Sequence, residues 1–551
     1  MSKNVVWGMD LIGGNVDIPV RDVSTMTFAE VKAALDHYDI ILSAAEEETD
    51  LDILYQRGGK ESPRADAAKK AREAKTLIHS PGSTYHRLIA RFADLATEPV
   101  DRRAVALREI HAVYERFVSD PEFDADRKTT LDAYRKRRIS VPAVGEVGLD
   151  RVGTLLQSHP DSEVRKAVYL GSRALDDIEA LVHHEINRLN SRVHERSQSP
   201  DFFSVRANYC EVPADAVELT MRAFVDGTKE TYEKLFRELI TSEKIKPWDF
   251  AYLVTQKDPF TSFPIPTDPH RLLAIGLDLL RKVGYDSELV DRLYGSREGV
   301  YLDIEEREGK GPGAFTCSLG PFSHGKNILF YNPRNFEADA RRRWTVFPHE
   351  LGHGIHHEMS REASARYGAV FFGENTVGLE VISKFHDALP LEEAFSSAHF
   401  TGSDLKHIKK WQIYTDLSSA YGIIRLSIGD MTMHREGTQA ARGGFHSGYE
   451  LVRPELVDDT LGPSSAYVLT HHLFNQPGYI FTYFMADLYR LALLQAAREQ
   501  NGALITPNTA SFLTDKIMVG NVRSMHERVV RTTGTSDLVG NATRYFNDSV
   551  R

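Results

Sequence analysis

The stretch Thr345-Val-Phe-Pro-His349-Glu350-Leu-Gly-His353-Gly-Ile-His356-His357 contains the pattern His-Glu-x-x-His. On a helix, positions i and i+4 share a face, so His349 and His353 can both turn a ring nitrogen toward one metal ion. Glu350 follows the first histidine and lies beside the ligands without being aimed at the ion. From there a carboxylate can take a proton from a water on the metal. Three protein ligands leave a fourth position for that water, whose pKa falls to about 7 on zinc. The chain holds 22 His, and in such a sequence the motif arises by chance on the order of a few per cent of the time. A surface helix with two histidines reads the same, so the weight falls on a third ligand.

The metzincin continuation, with Gly and His at the third and sixth positions after the second His, is excluded because position 356 is His and position 359 is Met. Downstream, GENTVGLEVISKFHDALP (373–390) offers Glu374 and Glu380, both within reach of a second helix packed beside the first. Glu380 stands in a helical apolar pattern with Leu379, Val381, Ile382 and Phe385. An unpaired carboxylate held among core residues is costly, and coordination to a cation offsets that cost. Asp387, seven residues on, is placed to hydrogen-bond a ligand histidine. Glu374 reads alternatively as a loop residue or a helix cap.

HELGHGIH (349–356) followed by GLEVISKF (378–385) resembles the paired active-site helices of the thimet oligopeptidase and oligoendopeptidase F family of zinc peptidases, with angiotensin-converting enzyme a more distant relative. YLDIEEREGKGPGAF (301–315) resembles that family's strand and Gly-rich loop, with its Arg-x-x-Lys-x-x-Gly-Ala pattern, and KPWDFAYL (246–253) its Pro-Trp-Asp segment. The match is specific over roughly residues 245–490. It implies one zinc ion per chain on His349, His353 and Glu380, with Glu350 as general base, and substrate contacts at Gly313 and Ala314. It also implies a mainly α fold: two helical lobes around a deep substrate channel, with a small mixed sheet near the active site.

Taken alone, HHLFNQPGYIFTYFMADLYRLALLQAA (471–497) reads as a turn feeding an amphipathic helix whose aromatic stripe is core. The resemblance gives it a second meaning. The family places a His and then two tyrosines here, facing the metal, which makes His472 and Tyr483 donors to the oxyanion of the tetrahedral state. Tyr479 becomes a second donor or a substrate contact, and His471 competes with His472. The chain departs from the family pattern at Pro348, before the first ligand, where a proline implies a helix start near Thr345 or a bend. It departs also at Glu305, where an aromatic is common, and at Val381-Ile382, where Pro-Ser is common.

The rest of the chain is consistent with a globular enzyme. Its 551 residues are 42% hydrophobic and 26% charged, with a formal net charge of −11, which argues against sequence-independent nucleic-acid binding. Two cysteines, Cys210 and Cys317, supply neither a disulfide framework nor a four-thiolate metal site, and Cys317 reads as a small buried residue. No apolar run reaches membrane-spanning length, and MSKNVVWGMDLIGG makes a poor signal peptide, so a cytoplasmic protein is expected.

Helical periods run through residues 28–48, 65–78, 105–118, 162–189 and 214–240, with Thr25 or Thr27 as the first cap. SQSPDFFSVRANYCEVP interrupts them, setting a boundary between an N-terminal helical lobe, 1–205, and a catalytic region, 206–551. GVYLDIEERE and KNILFYN read as strands. The clusters Glu46–Glu48, Arg135–Arg138 and Arg341–Arg343 read as solvated helix faces. The expected substrates are short peptides. Two alternatives remain: the same metal site applied to an amide or C–N bond of a small non-peptide molecule, and a non-catalytic binding protein.

Overall fold

Apolar residues at three- and four-residue spacing make most of this chain helical, and the computed structural model describes residues 22–241, 245–295, 300–307, 310, 313–319, 327–337, 339–400, 402–453 and 462–550 of it. The helices that build and support the site are α1 (Phe28–Arg57), α2 (Asp176–Arg196), α3 (Ala214–Leu239), α4 (Ala340–Tyr367), α5 (Thr376–Ala388), α6 (Gly402–Arg435) and α7 (Phe481–Asn501). The first of them starts where the sequence places a cap. Thr27 and Glu30 form a reciprocal capping box, and Val31, Leu35, Tyr38 and Ile41 bury one face behind it.

Two small sheets accompany the helices. β3 (Val300–Asp303), β4 (Ala314–Ser318) and β5 (Asn327–Tyr331) form a mixed sheet in the order β3-β5-β4, with β5 parallel to β3 and antiparallel to β4. β5 is buried along its whole length, as a central strand should be, which leaves β4 as an edge beside α4. The Arg-x-x-Lys pattern ties this sheet together: Lys310 Nζ donates to the carbonyls of Asp303, Glu305 and Tyr331 at 2.9, 2.7 and 2.7 Å. A separate hairpin, β1 (Arg138–Val141) with β2 (Gly145–Gly148), was not anticipated. It corrects the reading of Arg135–Arg138 as a helix face, because the helix before it ends at Lys136 and Arg138 opens β1.

Three helix expectations also change. The pattern over 162–189 is two helices, Ser162–Gly171 and the start of α2, and the interrupting stretch near 205 carries its own helix, Phe202–Tyr209. α4 begins at Ala340, not near Thr345, because Asp339 caps it by accepting from the Arg342 N–H; Pro348 lies inside it.

The largest buried cluster takes Phe224 from α3, Leu351 and Ile355 from α4, Val381 and Phe385 from α5, Tyr414 and Tyr421 from α6, and Phe484 and Leu488 from α7. Each such side chain, fully buried, stabilises by roughly 1.5–3 kcal/mol. A second cluster joins Ile178, Val182 and Ile186 of α2 to Val468, Leu473, Phe474 and Ile480, just before α7. Polar straps reinforce this join: the Leu175 N–H donates to Ser465 Oγ at 2.8 Å, and the Tyr467 hydroxyl to Glu179 Oε1 at 2.9 Å. The N-terminal helices therefore brace the segment that leads into α7. Among the described residues no helix is long and apolar enough to cross a membrane.

Candidate metal centre and active site

α4 and α5 pack side by side, and the small residue between the two motif histidines permits it. A Cβ on Gly352 would stand 2.8 Å from His386 Nδ1 and 3.1 Å from the Ser383 Cα, so nothing larger fits between the helices without displacement. This approach brings His349 and His353 of α4 and Glu380 of α5 into one group, with one ligand atom from each lying within 4.8 Å of the others. His349 Nε2 is 3.7 Å from Glu380 Oε2. Two imidazoles and a carboxylate, converging on one point from buried helices, fit a divalent transition metal.

The groups behind the ligands fix their aim. His349 Nδ1 is 3.1 Å from Asp387 Oδ2, which leaves Nε2 for the cation. The Tyr479 hydroxyl donates to Glu380 Oε1 at 3.0 Å, leaving the other carboxylate oxygen toward His349. Arg206 stacks over the Tyr479 ring at 5.1 Å and donates to Thr376 Oγ1. Asp387 therefore lies beside His349. Tyr479 lies against the same group, its hydroxyl bonded to the Glu380 carboxylate.

Glu350 is buried next to this group, with Oε2 lacking a hydrogen-bond partner among the described residues and Thr316 of β4 beside it. For the side chains alone, burial pushes Glu350 up to about 7. Burial likewise raises Glu380, and it lowers His353 well below the ordinary imidazole value, helped by the charge of His349. Burial also opposes charge on His349, but the carboxylates of Asp387, Glu350 and Glu380 outweigh it and lift that ring to about 9.

The aromatic stretch lies against the same group. The His472 ring stacks at 5.9 Å from Tyr479 and meets Tyr483 edge-on at 6.2 Å, while Tyr479 and Tyr483 are 5.2 Å apart. His471 packs on His472 at 4.3 Å, one ring farther from the tyrosines. Gly313, at φ +90°, turns the chain into β4; its N–H donates to Asn335 Oδ1 and its carbonyl accepts from the Asn332 N–H, both at 2.9 Å. Ala314, the first residue of β4, pairs with Tyr331.

Glu374 stands apart from the metal group. Arg528 forks onto its carboxylate, His356 Nε2 lies 3.2 Å from Oε1, and the Glu374 and Arg528 side chains are each 1% exposed. It is an ion-pair partner that ties the α4–α5 connection to the helix Met525–Thr533. The pair is 154 residues apart in the chain, and no local pattern announces it.

Several solved structures share this fold. PZ peptidase A with an inhibitor is similar over 98% of this chain and 100% of its own, at 15% identity and a TM-score of 0.63. A putative oligoendopeptidase F matches over 95% and 96%, at 15% and 0.62. An M32 carboxypeptidase from Deinococcus radiodurans R1 matches over 95% and 99%, at 13% and 0.62. A search of curated protein sequences finds no match. The sequence model of peptidase family M3 matches residues 155–506, more than half of the chain and the whole of the metal group, which bears out the resemblance drawn from HELGHGIH and GLEVISKF. The chain belongs to peptidase family M3 and is a metallopeptidase.

Proposed function

We propose that this chain is a zinc peptidase that hydrolyses short peptides, with the metal on His349, His353 and Glu380 and with Glu350 as general base. The observation that carries the reading is the convergence of those three side chains from α4 and α5 with a buried carboxylate beside them, one oxygen of which has no hydrogen-bond partner among the described residues. Zinc bound there supplies a Lewis acid for the scissile carbonyl and lowers the pKa of a water to about 7. Glu350 takes the proton of the attacking water and delivers it to the leaving amine. Its burial suits this, because removal from water favours uptake of the proton. Tyr483 and His472 donate to the oxyanion, with His471 behind His472. Tyr479 and Asp387 hold Glu380 and His349 in place, and Tyr479 acts on the reaction through that carboxylate.

The substrate class follows from β4. Among the described residues this strand pairs with β5 alone, and an extended peptide laid along its other edge, from Ala314 past the Gly313 turn, gains backbone hydrogen bonds. A short or unfolded peptide can present such a strand, and a folded protein cannot. Cys210 and Cys317 are free thiols, which suits a reducing cytoplasm.

The test is a mass-spectrometric digest of a diverse short-peptide library by the wild type, the Glu350→Gln protein and a chelated sample. Cleavage by the wild type alone supports the reading. Zinc binding without cleavage of any peptide sinks it and favours a small-molecule amide or C–N bond as substrate.

A further inference from the structure

Arg57 is the last residue of α1 and belongs to the part of the chain that sequence comparison leaves without assigned chemistry. The structure carries it to the active-site strand. The Gly58 carbonyl, next in the chain, accepts from Arg307 Nε at 2.6 Å, and Arg307 in turn forks onto Asp303 of β3, so the end of α1 is clamped to the sheet. The Arg57 guanidinium sits 4.6 Å from the centroid of the Phe315 ring on β4, on the strand face opposite Thr316. It is near enough for its charge to act on Tyr483, His471 and His472.

Its surroundings are incomplete. Among the described residues Arg57 makes no ion pair and no hydrogen bond, whereas other arginines of the N-terminal helices are paired: Arg64 with Glu48, Arg103 with Glu211 and Arg108 with Asp39. A half-buried guanidinium gives up hydration, and among acceptors a carboxylate offsets that loss most strongly. Packing on an aromatic face leaves the planar N–H fork open at its rim, the geometry that receives a carboxylate by two parallel bonds.

We propose that Arg57 is a specificity residue that binds a carboxylate of the peptide, so that the enzyme selects substrates with a negative group near the scissile bond. The proposal rests on the peptidase reading. Two carboxylates share this chemistry, the α-carboxylate of the C-terminal residue and the side chain of Asp or Glu.

The experiment measures kcat/KM on matched peptide pairs that differ only in a free or amidated C-terminus, or only in Glu or Gln beside the cut. The wild type favours the charged member of at least one pair by roughly 10- to 100-fold. The C-terminal pair identifies the α-carboxylate and the Glu/Gln pair the side chain. Arg57→Gln brings the ratio to about 1, and Arg57→Lys keeps part of it, because an ammonium holds the charge without the fork. The ratio is internal to each preparation, so a loss of folded protein cancels.

Arg342→Gln serves as the charge control, since that exposed arginine also acts on His472 and Tyr483 but stands at the start of α4; this variant keeps the ratio. A wild-type ratio near 1, a ratio that survives Arg57→Gln, or one lost only in Arg342→Gln overturns the proposal. If the wild type cleaves nothing, the peptidase reading fails by itself. Fluorescence anisotropy of the same labelled peptides on Glu350→Gln protein, with and without Arg57→Gln, then decides Arg57: a carboxylate preference that Arg57→Gln removes supports it, and equal binding overturns it.

Discussion

Replacing Glu374 or Glu380 with Gln separates two buried glutamates, six residues apart, that the structure gives opposite duties. Burial raises the Glu374 carboxyl, but Arg528 and His356 overcome it and hold the group at about 2. Against an ordinary value of 4.5, at 1.36 kcal/mol per pKa unit, that is about 3 kcal/mol of stability. The figure agrees with the roughly 3–5 kcal/mol expected when one member of a buried pair is removed and leaves the other unmatched. Because the folded value lies below the unfolded one, the contribution is complete above a pH of about 4.5 and is lost as the pH falls toward 2. For Glu380, burial raises the carboxyl, so without a cation the group is a burden. Glu374→Gln should therefore lower the first urea transition by about 3 kcal/mol at neutral pH while metal content, measured by plasma mass spectrometry, stays full. Glu380→Gln should lose the metal, and its metal-free form should unfold no earlier than metal-free wild type. If Glu374→Gln loses metal and keeps its stability, the assignment of both residues is wrong.

Tyr479→Phe frees Glu380 Oε1, and competition with a chromophoric chelator should show metal affinity weaker by roughly 10- to 100-fold. Tyr483→Phe should leave affinity unchanged and lower kcat by about 10²- to 10³-fold, with little change in KM; an equal loss in both variants would show that the two tyrosines share one role. Glu185 lies fully buried on α2, with Thr130 nearby but neither carboxylate oxygen within hydrogen-bond geometry of a partner among the described residues, and burial pushes it up to about 8. Its folded value is above its unfolded one, so it burdens the fold increasingly from a pH of about 4.5 to 8, and Glu185→Gln should raise Tm at pH 8 but not at pH 4. No difference between the two pH values would show that the carboxyl has an unseen partner.

The parts of this structure that were legible in the sequence are those set by short-range geometry. The i, i+4 spacing of His349 and His353, the apolar frame around Glu380, the position of Asp387 and the Thr27 cap all depend on residues within two turns of one helix. The strands at 300–303 and 327–331 were visible as β-branched and aromatic runs. What escaped was fixed by packing between distant segments: the Tyr479 bond to Glu380, the Arg528 fork on Glu374 and the place of Arg57 over Phe315. No periodicity records a partner that lies 99 or more residues away. The hairpin at 138–148 was missed for a local reason, because a run of basic residues reads as a solvated helix until the β-branched pair Ile139 and Val141 is weighed.

The strapping of residues 465–480 onto α2 bears on how this enzyme could be shortened or divided. Leu473, Phe474 and Ile480 lie in one core with Ile178 and Val182, and His472 and Tyr479 ride on that core. A fragment confined to the catalytic half would keep His349, Glu350, His353 and Glu380, yet the platform under its tyrosines and histidine would be open to water. The gene is therefore a poor candidate for fission into a regulatory piece and a working core.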